Sequence, residues 1–399
     1  MTRRNFSCFA LGAPALAWAA GNPSKAGMDP ARLARIPERM KAFVDKGQTA
    51  GIVTLVQRHG EIAALDAVGQ ADIENNKPMR ADTIFQIASM TKPVTGVAVT
   101  ILADEGKLGL NDPVEKHLPE FRGMWAAHKQ PNGEVVLRKP SRLITIRDLM
   151  THTSGMGGDY PAALADVMEK GNRTLAEVVL ISSQQPLVFE PGAKWLYSNM
   201  GLNTLGRIVE VIADQPFEKF TDSRIFSPLG MKDTMFYPTP DKFDRIAVIY
   251  KRVDGKLVPS GIDRFRKNYR FTRASGGLFS TAGDLARFYQ MSLGGGILGG
   301  TRILSKSAVE VMTSLHTGDL SIGGANGAGY GLTWRVVKGP GATLSGQSIG
   351  TYGHGGAYGT QGWIDPKKDL VGVFMIQREG GGSEESTAFT EMANAAVAG

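Results

Sequence analysis

The chain has 399 residues, 42% hydrophobic and 21% charged, with a formal net charge of +7 at pH 7. This is a globular composition with room for one large domain or two modest ones. No stretch after the N-terminus approaches 18 consecutive apolar residues, so no membrane-spanning helix is expected there, and dispersed basic residues such as those in DRFRKNYRFTR lack the dense stripe of a nucleic-acid face.

The first residues, MTRRNFSCFALGAPALAWAA, read as an export leader. Two arginines precede a short apolar run, and Ala17-Trp18-Ala19 supplies the small-x-small pattern of a signal-peptidase site. Thr2-Arg3-Arg4-Asn5-Phe6 resembles a twin-arginine signal, the route for proteins exported already folded. The expectation is therefore a signal peptide over 1–19 and a mature domain over 20–399, periplasmic or secreted. Cys8, the only cysteine, lies in that leader, so a mature chain would carry no disulfide, no thiolate nucleophile and no cysteine metal site.

Next, MDPARLARIPERMKAFVDKG carries apolar residues near a 3.6 period behind an Asp29-Pro30 entry, which predicts a helix. GIVTLVQRHGEIAALDAVG predicts a hairpin turned at His59-Gly60. A helix opens at Ser89 and runs to about Glu105, closed by Gly106; Pro93 is tolerated only because it falls in the first turn. From about 111 to 264 the pattern changes to short helical segments and loops, clearest in ITIRDLMTHTSGM and MGLNTLGRIVEVIADQPFEKFTDSRIF. QGWIDPKKDLVGVFMIQ reads as a second hairpin turned at Pro366-Lys367-Lys368-Asp369, and STAFTEMANAAVA as a closing helix. Strands near both ends predict one sheet built from about 20–110 and 265–399, with a helical insertion over about 111–264.

Ser89 and Lys92 stand three apart at a helix start, so they share one face. Backbone N–H groups there carry partial positive charge suited to a developing oxyanion. A serine nucleophile needs a base, and a lysine amine within hydrogen-bond reach can replace the usual histidine. The same four residues also fit a helix cap followed by a solvated lysine, so the pair alone decides nothing.

Two further stretches change the balance: Tyr197-Ser198-Asn199 in KWLYSNMG, and His354-Gly355-Gly356 in YGHGGAYG ahead of the final hairpin. Ser-x-x-Lys, then Tyr-x-Asn about a hundred residues on, then His-Gly-Gly before a closing strand resembles the serine hydrolases related to penicillin-binding proteins, class C β-lactamases and family VIII carboxylesterases. The likeness covers nearly the whole mature chain. It implies an α+β fold of the β-lactamase/transpeptidase type, an antiparallel sheet flanked by helices plus a mostly helical insertion. It also implies an acyl-Ser89 intermediate, with Tyr197 and Lys92 together removing the serine proton. Asn199 would orient Lys92 and hold substrate, and the amides of Ser89 and Ala357 would form the oxyanion hole, with His354, Gly355 and Gly356 lining it. An unperturbed tyrosine near pKa 10 needs about 4 kcal/mol to act as a base at pH 7, and one ammonium about 4 Å away supplies roughly that at an effective dielectric near 20.

His354 departs from the class C pattern, where a lysine holds the β-lactam carboxylate. A histidine is mostly neutral at pH 7 and grips an anion less firmly. The resemblance therefore points to a carboxylesterase for short-chain, small-molecule esters rather than a strong β-lactamase. A D-Ala-D-Ala-type peptidase, a weak class C-like β-lactamase and a non-catalytic penicillin-binding-like sensor are the alternatives. No cofactor, metal or nucleic-acid partner is implied.

Gly346-Gln347-Ser348-Ile349-Gly350 matches the G-x-S-x-G nucleophile elbow, but that elbow needs a strand before it, a helix after it, and an acid then a histidine downstream. Glycines follow Ser348, which is expected to be a loop residue. His152 falls in a stretch read as structural, without an evident carboxylate partner. His59, His117, His128 and His316 show no metal-ligand spacing.

Overall fold

The structure is a computed structural model describing residues 21–158, 160, 171–260, 269–323, 327–342 and 344–398. The leader read over 1–19 lies outside the described residues.

An eight-stranded antiparallel sheet organises the molecule. Its strands are β1 (Gly51–Arg58), β2 (Glu61–Asp72), β3 (Lys77–Pro78), β4 (Ala328–Tyr330), β5 (Arg335–Val337), β6 (Tyr352–Gly355), β7 (Gln361–Asp365) and β8 (Leu370–Met375), in spatial order β4-β5-β6-β7-β8-β1-β2-β3. The two expected hairpins form. β1 and β2 turn through His59 and Gly60, both at positive φ (54° and 74°), the handedness a two-residue turn needs to match strand twist. β7 and β8 pair around residues 366–369. β1 then pairs with β8, Val53 opposite Met375 and Arg58 opposite Leu370, so the two ends of the chain meet in mid-sheet.

Both faces of that junction are covered, which is why β1 is a run of apolar residues rather than an alternation. Ile52, Val56, Trp363 and Phe374 pack with Ile36, Met40, Phe43 and Phe389 from the terminal helices α1 (Pro30–Leu33), α2 (Arg35–Asp45) and, closing the chain, residues Ser383–Ala395. Val53, Leu55, Val371 and Val373 face the other way, into a core shared with α3 (Thr91–Asp104) and with much of the insertion, including Leu149, Met200, Leu205 and Phe217. The expected single N-terminal helix is broken at Ala34, and Asp29 caps its first piece by accepting from the Ala31 and Arg32 N–H groups.

Four local readings are refined. The insertion is not all helix: two hairpins stand in it, Ala126–Lys129 with Val135–Arg138 and Ile249–Val253 with Lys256–Ser260. ITIRDLMTHTSGM gives only α4 (Ile146–Thr151), opened by a Thr145/Asp148 capping box and ended by His152 at φ 62°. The stretch from 200 to 226 is three pieces: α5 (Asn199–Ala213), stopped by Asp214 at positive φ ahead of Pro216, then Phe217–Thr221, then a π-helical turn Asp222–Phe226. The closing helix starts at Ser383, three residues early, and gives up its last residues to a bridge between Met28 and Val397.

Candidate active site

Ser89 sits in a one-turn 3-10 helix, Ala88–Met90, that runs directly into α3. Ala88 holds φ at 44°, a region alanine enters at a cost of about 1–3 kcal/mol. Its surroundings enforce it. The Thr91 hydroxyl donates to the Ala88 carbonyl at 2.7 Å and accepts from the Leu278 N–H at 3.2 Å, while the Ile87 N–H donates to the Leu278 carbonyl at 3.0 Å. The nucleophile candidate is thus presented half-buried on a rigid corner rather than a free loop.

Lys92 is fully buried in the next turn. Its Nζ donates to Ser89 Oγ at 3.0 Å, to Asn199 Oδ1 at 2.8 Å and to the Ser275 carbonyl at 2.6 Å. A lysine ammonium has donors only, so the Asn199 atom facing it is the amide oxygen. A buried charge without such partners would cost several kcal/mol; the oxygens around this ammonium offset part of that penalty. The Tyr197 ring completes the surroundings, with Lys92 Nζ 4.6 Å from its centroid.

Tyr197 and Asn199 arrive through a division of labour at the start of α5. Ser198 is the N-cap: its hydroxyl accepts from the Gly201 N–H at 3.0 Å and donates to the Gly157 carbonyl at 2.7 Å. Because Ser198 caps the helix, the Asn199 side chain is released to meet Lys92. The Tyr-x-Asn spacing then sends Tyr197 and Asn199 to the same ammonium.

The His-Gly-Gly stretch ends β6 beside Ser89. A Cβ on Gly356 would overlap the Thr360 hydroxyl and lie 2.5 Å from the Ile87 carbonyl, so only glycine lets this strand end approach the corner carrying Ser89. The Gly356 N–H is used by the Thr360 carbonyl at 2.7 Å, and no loop or turn hydrogen bond among the described residues takes the Ala357 N–H. Gly355 and Ala357 are exposed.

His354 points inward. It is buried, its Nδ1 lies 2.7 Å from the Gly355 carbonyl and its Nε2 lies 2.8 Å from the Tyr330 hydroxyl. A carbonyl can only accept, so Nδ1 carries the proton and Nε2 accepts from Tyr330. Burial, and then the charge of Lys92, hold its pKa down to about 3. Burial, and then Tyr197, hold the Tyr330 phenol well above its ordinary value, so it keeps the proton it donates. The position that would need a cation to grip a carboxylate thus carries a neutral, fully engaged ring.

Two groups in this cluster carry no sequence signal. The Ser275 ligand is a main-chain carbonyl, and Tyr330 lies in no motif. His152, read as structural, stacks on Tyr197 with ring centroids 4.6 Å apart. Ser348 lies in an irregular loop with no helix after it, its N–H donating to Asp365 at 2.8 Å. His59, His117 and His128 pair individually with Asp369, Asp112 and Glu190. Among the described residues no three His, Cys, Asp or Glu side chains converge as a metal site would require, and no helix is long and apolar enough to cross a membrane.

A sheet closed from both chain ends, with a Ser-x-x-Lys corner against Tyr-x-Asn and a glycine-lined strand end, defines a class of serine hydrolase. The β-lactamase family model matches residues 36–397, and the chain belongs to that family. An esterase, EstB of Burkholderia gladioli, is 30% identical over 86% of this chain and 90% of its own length. An uncharacterized Mycobacterium tuberculosis protein is 36% identical over 85% of this chain and 88% of its own. Among solved structures, EstCE1, described as a hydrolase with promiscuous acyltransferase activity, superposes with a TM-score of 0.78 at 25% identity, covering 93% of this chain and 99% of that one. The chain is a serine hydrolase of the β-lactamase family.

Proposed function

We propose that the protein is a family VIII-type carboxylesterase that hydrolyses short-chain esters through an acyl-Ser89 intermediate. Ser89 Oγ attacks the ester carbonyl and its proton passes to the Lys92–Tyr197 pair. The amides of Ser89 and Ala357 hold the oxyanion, each such donor being worth roughly 3 kcal/mol in the transition state. Collapse releases the alkoxide, which takes the proton; water, deprotonated by the same pair, then attacks the acyl-enzyme and frees the acid. Lys92 is held between the Asn199 and Ser275 oxygens, which favours its ammonium form and leaves Tyr197, as phenolate, the base.

The observation that carries the ester reading is His354, neutral and turned into Tyr330 where a carboxylate-bearing β-lactam or peptide would want a fixed positive charge. The esterase relative supports the same choice. The leader in residues 1–19 supports placing this chemistry outside the cytoplasm. The test compares kcat/KM on p-nitrophenyl butyrate, a D-Ala-D-Ala peptide and nitrocefin, with Ser89→Ala and Ser348→Ala beside the native enzyme. Short esters should lead, Ser89→Ala should be inactive and Ser348→Ala nearly native. Preference for the peptide or nitrocefin, or activity surviving in Ser89→Ala, would overturn the reading.

A further inference from the structure

His152 has no part in the chemistry above, yet it holds both neighbours of Tyr197. Its carbonyl accepts from the Leu196 N–H at 2.9 Å, and its Nδ1 accepts from the Ser198 N–H at 3.0 Å. The ring lies against the Tyr197 ring at 33°. Tyr330 and Trp195 meet the His152 ring edge-on, at 5.0 Å and 5.8 Å between centroids. A left-handed backbone at φ 62°, just past the end of α4, turns the residue into this position.

We propose that His152 is a positioning residue for Tyr197, clamping the peptide on either side of the phenol and one face of its ring so that the ring stays against Lys92. The inference rests on the proposed function, because it matters only if Tyr197 is the base.

The hydrogen bonds fix the ring's tautomer. An Nδ1 that accepts from an N–H leaves the proton on Nε2, which is buried and has no hydrogen-bond partner among the described residues. Protonating Nδ1 would set two donors face to face. Burial opposes the same step, as does the charge of Lys92 from α3, and both hold its pKa well below 6.5; His354 on β6, also facing the ring, is itself neutral. Tyr197 and Tyr330 are the titratable rings in contact with it. The clamp is therefore neutral across the working range and adds no charge to compete with Lys92 for the phenolate.

Two variants separate clamp from packing. His152→Phe keeps a ring against Tyr197 but strands the buried Ser198 N–H; His152→Asn keeps an acceptor close to where Nδ1 stands but gives up the ring. Each is measured for kcat, KM and the pH dependence of kcat/KM on p-nitrophenyl butyrate, with thermal midpoints alongside and Ser89→Ala as reference. A displaced phenol is less well stabilised by Lys92, so its pKa rises. The acid limb of the profile in His152→Phe should move to higher pH, with kcat down by about 10–100-fold and KM within about twofold. His152→Asn should recover part of both losses. A limb unmoved in both variants, with kcat falling only as far as the folded fraction falls, would reduce His152 to packing. If His152→Phe does not fold, an Asn variant with a native limb and native kcat overturns the proposal by itself. Activity surviving in Ser89→Ala removes this inference with the reading beneath it; an unmoved limb with Ser89→Ala inactive removes this one alone.

Discussion

Ser89 Oγ and Lys92 Nζ stand 3.0 Å apart, and the lysine is held there from behind by Asn199 and by the Ser275 carbonyl. The nitrogen cannot drift from the serine without abandoning two buried acceptors. Lys92→Met keeps the length of the side chain and removes its proton chemistry. It relieves the desolvation of a charge but strands two oxygens at about 1–3 kcal/mol each, so the variant should fold with a lowered midpoint. Its kcat on p-nitrophenyl butyrate should fall by about 10²–10⁴-fold. Turnover within tenfold of native in a folded variant would remove Lys92 from the reaction.

Gly356 sets how closely β6 approaches the Ser89 corner. Gly356→Ala drives a methyl group into Thr360 and the Ile87 carbonyl and displaces the strand end. A shift of about 1 Å is enough to cost on the order of 10²-fold in kcat, which steady-state kinetics would register. Gly355→Ala is the control for folding, because its Cβ would meet nothing closer than the Thr360 carbonyl at 3.6 Å. Its thermal midpoint should match the native protein's.

His152 and His354 are both neutral in the fold at pH values where histidines of the unfolded chain, near 6.5, take up a proton. The unfolded state then binds more protons, so stability falls as pH drops below 6.5, and for His354 the loss continues to about 3. Each ring contributes a slope of up to about 1.4 kcal/mol per pH unit. Urea unfolding between pH 7 and 5.5 should show the decline, and His354→Gln should make it shallower. An equal slope in the variant would mean that His354 is protonated in the native state.

Asp66 on β2 has the opposite sign. Burial raises its pKa to about 6, so the native state binds its proton more readily than the unfolded chain and the residue weakens the fold as pH rises from about 4 through 6. Asp66→Asn should raise the urea midpoint at pH 7, and the gain should vanish near pH 4. A variant no more stable than native at pH 7 would show that the carboxylate is well solvated.

The parts legible in the sequence were those written in side chains at short spacing. Ser89 and Lys92 stand one turn apart at a helix start, but it was their order with Tyr197-x-Asn199 and His354-Gly355-Gly356, through the resemblance to a known family, that marked all of them; that Ser198 is the cap became visible only in the fold. The hairpins at His59-Gly60 and 366–369 were legible from turn chemistry flanked by β-rich runs. What stayed hidden was decided at long range. The Ser275 carbonyl could be any peptide until the chain folds, and Tyr330 acquires meaning only through His354. His152 looked idle because a carboxylate partner was the expected sign of a working histidine; its actual partner is the main-chain N–H of Ser198. The inward turn of His354 was equally invisible, since Lys and His share a place in the motif but not a preference for water. The hairpin 126–138 was missed because its second strand, Val135–Arg138, is largely exposed and gives no core-facing alternation.

β1 and β8 lie side by side although more than three hundred residues separate them along the chain. During synthesis, β1 leaves the ribosome long before its neighbour exists, with Ile52, Val53, Leu55 and Val56 bare to any other chain. Contacts this distant are slow to form and leave nascent edges open to wrong pairing. A ribosome that stalls short of residue 370 would therefore release a product lacking the strand that closes the sheet, one for chaperones or proteases to deal with.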